Sequence, residues 1–180
     1  MRILISGGPG AGCTSTAEFL GNRLDLPVFD SDVFYHKPTN PPFQEQHSPD
    51  ERKRLLTAAL SSKSNWIISG SIATWDIDLP PIAFGIFIDL PSKERLGRLA
   101  IRERERFGKR IDQGGDLHEE HEHFMLWASG YENRSGFGRN RDTDREFLVQ
   151  KCDQLMEITQ PLSFESISSQ ILHFLKTAKT

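Results

Sequence analysis

A chain of 180 residues is the size of one domain and long enough to bury a core of its own. With 37% hydrophobic and 26% charged residues it has the make-up of a soluble globular protein, and a formal charge of −3 excludes overall attraction to nucleic acid or to an anionic membrane. Any anion site must therefore be a local patch. Cys13 and Cys152 do not make a disulfide framework, which points to reduced thiols and a cytoplasmic location. The N-terminal apolar run meets glycine at Gly7, too early for a signal-peptide core, and no later stretch approaches the roughly 20 apolar residues of a membrane span.

Apolar runs alternate with amphipathic helical patterns, the order expected of βαβ units and a mainly parallel sheet. A first strand is expected at Arg2 to Ser6, then a glycine-rich turn and a helix from about Thr14 to Leu24, with Ala17, Leu20 and Leu24 at helical spacing. A short second strand, Pro27 to Phe29, ends in Asp30-Ser31-Asp32. Residues 33–47, with Pro38, Pro41 and Pro42, read as a loop. Ser48 caps the next helix, with Pro49 at its first position and Glu51 completing a capping box, and that helix runs to about Lys63.

Trp66 to Ser69 is the third strand, ending at Gly70-Ser71. Ala83 to Leu90, an apolar run broken only by Gly85 and Asp89, reads as a fourth strand covered on both faces. A helix capped by Ser92 begins near Lys93, and Gly108, Gly114 and Gly115 break the segment after it. Further helices are expected at Leu117 to Ala128 and near Thr143 to Lys151, and a fifth strand at Leu155 to Thr159. Ser163 caps the closing helix, whose Ile167, Ile171, Leu172 and Leu175 form one apolar face. The expected fold class is α/β, a single three-layer domain over residues 1–180 with a five-stranded parallel sheet and helices on both faces.

Gly7-Gly8-Pro9-Gly10-Ala11-Gly12-Cys13-Thr14, with Ser15 behind it, follows a strand and opens a helix, the setting a Walker A phosphate loop requires. Glycines let the backbone wrap around phosphates, and the helix N-terminus aims free N–H groups at them. Thr14 holds the position of the hydroxyl that binds magnesium. Cys13 stands where a lysine would reach the β- and γ-phosphates. The thiol is a small neutral filler or, alternatively, a redox-sensitive group activated by the helix N-terminus.

The stretch ILISGGPGAGCTSTAEFLGNRL resembles the first unit of nucleotide kinases and of shikimate and gluconate kinases. Archaeal-type cytidylate kinases are similar in also lacking the lysine. Closer still is the likeness to uncharacterised bacterial P-loop proteins of the adenylate-kinase-like type, which share segments like PTNPPF, WIISGS and RERERFGKRI in the same order. The resemblance covers most of the chain. It implies a P-loop kinase fold with ATP and Mg2+ as cofactors, an acceptor-binding region at about 30–63 and a lid at about 107–141.

Asp30 and Asp32 lie at the carboxyl end of a strand, where open α/β sheets bind ligands, and residues two apart on a strand point the same way. A kinase acting on a hydroxyl needs one carboxylate near the metal and another near the acceptor oxygen. FDSD resembles the corresponding segment of shikimate kinase, and DSDVFYHKP is similar to a stretch of gluconate kinase. That likeness implies that Asp30 supports magnesium through water and that Asp32 binds or deprotonates the acceptor. Turn formation and helix capping are the plainer alternative for both. Related kinases often close their third strand with Asp-Gly, whereas this chain has Ser69-Gly70-Ser71, which leaves Asp30 as the metal-side carboxylate.

Lys93 to Arg110 holds eight basic residues against three acidic ones, and Arg98, Arg102, Arg106 and Arg110 recur every four residues. RFGKRI resembles the entrance of a nucleotide-kinase lid. By that likeness Arg102, Arg106 and Arg110 stabilise the transferred phosphoryl group, and Arg134, Arg139 and Arg141 stand where such kinases carry far-lid arginines, with Arg145 beyond them. A solvated helix balanced by Glu94, Glu103 and Glu105 is the alternative.

His118, His121 and His123 sit among glutamates with no cysteine or distant ligand set to complete a zinc site, so an exposed acidic helix is expected there. Trp75 and Trp127 wall a pocket or pack a core. The basic run lacks interleaved aromatics, so no nucleic-acid partner is expected.

The sequence thus reads as an ATP-dependent phosphotransferase. Its partners are a nucleoside triphosphate and a small-molecule acceptor meeting Asp32, Tyr35, His36, Ser71 and Arg139, with no membrane and no nucleic acid. The acceptor is a nucleoside monophosphate or a small hydroxylated metabolite. A nucleotide-responsive regulator without phosphotransfer is the rival, and no oligomeric state is read from the sequence.

Overall fold

The computed structural model describes residues 1–177. Among the described residues the chain builds β1 (Arg2–Gly7), α1 (Cys13–Leu24), β2 (Val28–Asp30), α2 (Ser31–Tyr35), α3 (Pro49–Leu60), β3 (Trp66–Ser69) and β4 (Ile82–Ile88). It continues with α4 (Ser92–Phe107), a 3-10 turn (Gly108–Ile111), α5 (His118–Ser129), α6 (Arg141–Lys151), β5 (Cys152–Ile158) and α7 (Phe164–Thr177). The strands form one parallel sheet in the order β2-β3-β1-β4-β5.

Alternation along the central strand explains the two-sided core. Ile3 and Ile5 of β1 face one side, with Ala17 and Leu20 of α1 and Ile171 and Leu175 of α7. Leu4 faces the other, with Leu56 of α3, Ile68 of β3, Phe87 of β4 and Leu148 of α6. Gly85 in β4 is required by close approach: a Cβ there would lie 3.0 Å from the Cys152 sulfur. Because every strand is parallel, their carboxyl ends gather at one edge, where β1 delivers the glycine-rich turn, β2 delivers Asp30 and β3 delivers Gly70-Ser71.

Several boundaries differ from expectation for local reasons. Asp30 closes β2 and caps a five-residue helix, its carboxylate accepting from the Asp32 amide at 2.9 Å, where a loop was expected from residue 33. Ser92 is the first residue of α4 and makes no cap. Asn140 caps α6 through the Thr143 amide, so that helix starts at Arg141. β5 begins at Cys152, directly after Lys151 ends α6. The capping box at Ser48 and Glu51 and the Ser163 contact to the Ser166 amide are both present.

The glycine turn is pinned by packing as well as by backbone geometry. Gly10 has φ +84, and a Cβ on it would collide with the Arg95 carbonyl. A Cβ on Gly8 would lie 2.8 Å from the Tyr131 ring and 2.9 Å from the Arg95 guanidinium carbon. Gly97, in the exposed middle of α4, has open space around its Cβ position. Gly10→Ala is therefore expected to destabilise the fold by about 1–3 kcal/mol through backbone strain and collision. Gly97→Ala is expected to stabilise it by about 0.5–1 kcal/mol through helix propensity alone. Urea midpoints of the two variants measure both, and equal shifts would contradict this account of the turn.

Candidate active site

The phosphate-loop candidate leaves β1 at Gly7 and enters α1 at Cys13. Gly12, at φ 96, occupies the cap position without a side-chain cap, and the first turn of α1 carries no acidic residue. The positive end of the helix is thus left unneutralised by its own residues. Beneath the turn lies Arg95, which is 1% exposed. Its Nη1 donates to the Pro9 carbonyl at 2.7 Å, and its Nε and Nη2 donate to Glu132.

Thr14 Oγ1 donates to Asp30 Oδ2 at 2.8 Å while Asp30 Oδ1 accepts from the Asp32 amide. Partial burial pushes the Asp30 pKa up, opposed by those two hydrogen bonds. A hydroxyl and a carboxylate held side by side, with burial penalising the bare negative charge, are a donor set that fits magnesium. Asp32, in the first turn of α2, lines the cleft, exposed, and its carboxylate forms no hydrogen bond or ion pair among the described residues.

Cys13 is half-buried, and desolvation pushes its thiol pKa up to about 12 against the nearby charge of Arg139. Of the two sequence readings, that environment matches the neutral filler, because the thiol stays protonated.

The loop opens onto a cleft of about 1510 Å³. Single-ligand pockets commonly span roughly 300–1,000 Å³, so this cleft is larger than one such pocket. Away from the loop the wall is aromatic. Tyr35 lies 6.4 Å from Trp75 and 4.8 Å from His36, which meets Phe43 edge-on at 5.0 Å. Arg52 from α3 stacks 3.6 Å over the Tyr35 ring, and Arg106 lies 4.8 Å over Phe43. Burial holds the His36 pKa below its usual value, so the ring is neutral near pH 7. Sequence reasoning did not single out Arg52 or Phe43.

Ser71 reaches the cleft and donates its hydroxyl proton away from it, to Asp144 Oδ1 at 2.5 Å. Asp144 is 1% exposed and also accepts from the Tyr131 hydroxyl at 2.9 Å. Arg139 lines the same end of the cleft. Its Nη2 donates to the Gly7 carbonyl at 3.1 Å, and its Nε lies 3.7 Å from Asp144 Oδ2.

Of the α4 arginines, Arg98, Arg102 and Arg106 share the cleft-facing side of one helix, as their spacing predicts. Glu103 stands between the last two, 3.2 Å from Arg102 and 3.7 Å from Arg106. The expectation for Arg110 does not hold. α4 stops at Phe107, Gly108 turns the chain at φ 57, and Arg110 binds Asp116 at 2.6 Å outside the cleft lining. The other far-lid arginines are also engaged elsewhere: Arg134 with the Arg139 and Trp127 carbonyls, Arg141 with Asp89 at 2.8 Å, and Arg145 with Glu157 at 2.7 Å.

The residues that sequence reasoning missed, Arg95, Tyr131, Glu132 and Asp144, lie behind the cleft surface. Helical phase carried a signal for two of them. Arg95 falls on the buried stripe with Leu99 and Glu103, and Asp144 precedes the buried Leu148 by four residues. Among the described residues no group of three or more His, Cys, Asp and Glu side chains is assembled that could hold a metal ion. His118 contacts the Ile111 carbonyl and His121 lines the cleft. No helix among them is long and apolar enough to cross a membrane.

No protein-family model matches the chain. It is 27% identical over 177 residues to the uncharacterized protein YqaC of Bacillus subtilis (strain 168), with 98% of each chain covered. Among solved structures it is similar to deoxyadenosine kinase from M. mycoides with bound dATP, with a TM-score of 0.58 and 11% identity over 98% of this chain and 100% of that one. It is also similar to shikimate kinase from Bacteroides thetaiotaomicron, with a TM-score of 0.56 and 18% identity over 98% of both chains. At such identities the likeness is one of architecture, and the architecture is that of the small P-loop kinases: a five-stranded parallel sheet flanked by helices, with the glycine turn at the end of its central strand.

Proposed function

We propose that the protein is an ATP-dependent phosphotransferase that moves a phosphoryl group from Mg-ATP to an oxygen of a small-molecule acceptor. The observation that carries this reading is the juxtaposition of the Thr14–Asp30 pair, at the mouth of the loop, with the unpaired carboxylate of Asp32 across one cleft. Kinase architectures among the structural neighbours support the class of reaction.

In this mechanism Gly7 to Ser15 hold the triphosphate with backbone N–H groups and the positive end of α1. Thr14 and Asp30 hold magnesium, which neutralises charge on the phosphates when bound. Asp32 orients the acceptor oxygen and takes its proton as that oxygen bonds to the γ-phosphorus and the bond to the β-phosphate oxygen breaks. ADP departs with those electrons. Arg102 and Arg106 add positive charge along the side of the cleft, and segment 107–141 acts as the lid that excludes water.

Within the two acceptor classes, the aromatic wall of Tyr35, Trp75 and Phe43 under Arg52 and Arg106 fits a molecule with a planar or anionic part. A hydroxyl on that molecule faces Asp32, whereas a phosphate acceptor gains more from the arginines. One observation favours the regulatory reading: position 13 is a protonated thiol with no charge to offer a phosphate.

Turnover separates the readings. Asp32→Asn is expected to lower phosphotransfer by roughly 10²–10⁴-fold while Mg-ATP affinity changes little. Calorimetry with ATP and product detection over a panel of nucleosides, nucleoside monophosphates and sugar acids measure this. Near-normal turnover in the variant removes Asp32 from the mechanism. Thr14→Ala is expected to abolish most of the dependence of ATP affinity on magnesium. If the magnesium dependence is unchanged, Gly7 to Thr14 is not the triphosphate site.

A further inference from the structure

We infer that Arg139 supplies the loop-bound cation that position 13 lacks, and that the buried Asp144 is the positioning residue that keeps it there. The inference rests on the nucleotide-binding reading above and names which group meets the β- and γ-phosphates.

Arg139 is docked on the loop before any ligand is considered. Its Nη2 donates to the carbonyl of Gly7, the residue that opens the turn, across a separation of 132 residues in sequence. The backbone behind it is fixed at several points. Asn140 is 2% exposed; its Oδ1 accepts from the Thr143 amide at 2.9 Å, and its Nδ2 donates to the carbonyls of Gly136 and Gly138 at 3.0 and 3.2 Å. The amide of Arg141 is tied to the Tyr131 carbonyl at 3.1 Å. A guanidinium that starts from this anchor has little freedom to leave the loop.

Asp144 explains why the charge stays. Its carboxylate is buried, with Ser71 and Tyr131 satisfying one oxygen each, and Arg139 stands 3.7 Å away. Burial raises the Asp144 pKa, and the charge of Arg139 is the foremost influence opposing that rise. Arg139 and Cys13, the residue that replaces the lysine, line the same cleft. The arginines nearby are differently placed: Arg95 is consumed by Glu132 and the Pro9 carbonyl beneath the turn, and Arg102 and Arg106 flank Glu103. The Nη1 of Arg139 makes no hydrogen bond among the described residues, and the residue lines the cleft.

Chemically the exchange is favourable for phosphate recognition. An arginine stays charged at all physiological pH and offers parallel N–H donors to two phosphate oxygens, whereas a lysine offers one point charge. Its origin differs too: a lysine would sit in the first turn of α1, whereas Arg139 sits just before the first turn of α6.

The experiment is Mg-ATP calorimetry on wild type, Arg139→Met, Cys13→Lys and the double variant, with thermal melts to show that each is folded. Arg139→Met is expected to weaken Mg-ATP binding by roughly 10–100-fold, the scale of one charge-assisted contact. Adding Cys13→Lys to it is expected to restore binding to within about threefold of wild type. Cys13→Lys alone is expected to gain less than about threefold, because the cation is already present; this arm holds even if Arg139→Met does not fold. Asp144→Asn is expected to lose affinity and to be rescued by Cys13→Lys, which a purely structural defect would not show. If wild type binds Mg-ATP and Arg139→Met binds it equally, or if Cys13→Lys alone gains tenfold or more, Arg139 does not hold this role while the nucleotide site stands. If neither wild type nor Cys13→Lys binds Mg-ATP, the nucleotide reading falls and this inference with it.

Discussion

A single buried guanidinium holds the centre of this molecule together. Arg95 lies under the glycine turn with its Nη1 on the Pro9 carbonyl and its other nitrogens on Glu132, and it is almost wholly removed from water. An unpaired charge in such a place would cost several kcal/mol, so Pro9, Arg95 and Glu132 must be arranged together or not at all. Through that one group the turn after β1, the first part of α4 and the segment following α5 are registered against each other. The glycines of the turn follow from the same arrangement, since a Cβ at Gly8 or Gly10 would enter the volume of Arg95 or its backbone.

Electrostatically, the carboxyl edge of the sheet is layered. Nearest the turn lie the unneutralised end of α1 and the guanidinium of Arg139, both positive. Next come Asp30 and Asp32, the first half-buried and shared between a hydroxyl and an amide, the second open to solvent. Beyond them the arginines of α3 and α4 lie on aromatic rings. The sign of the charge thus alternates over a short distance along this edge.

Much of the fold was legible because the strands are apolar runs with clean boundaries. Trp66–Ser69 was read to the residue, and the capping box at Ser48 fixed the start of α3. The helix α2 was not legible: five residues carry no periodicity, and the helix exists because Asp30 caps it. Within the site, the loop, Asp30, Asp32, Tyr35, His36, Ser71, Arg102, Arg106 and Arg139 all reach one cleft, since motif context and strand ends locate such residues. The four-residue spacing that continues to Arg110 runs past Gly108, where the helix ends, so it carries no helical phase there. The buried groups Arg95 and Asp144 are not legible from composition, because a charged residue reads as surface unless its helical phase is weighed against its charge.

The junction between α6 and β5 has a mechanical consequence. Helix gives way to strand with no residue between them, and β5 is hydrogen-bonded along β4 from Ile82 to Ile88. The C-terminal end of α6 is therefore tied to the sheet, and a rotation there has no slack to absorb it. A displacement of α6 therefore has to be carried by β5 itself rather than absorbed by a connecting loop.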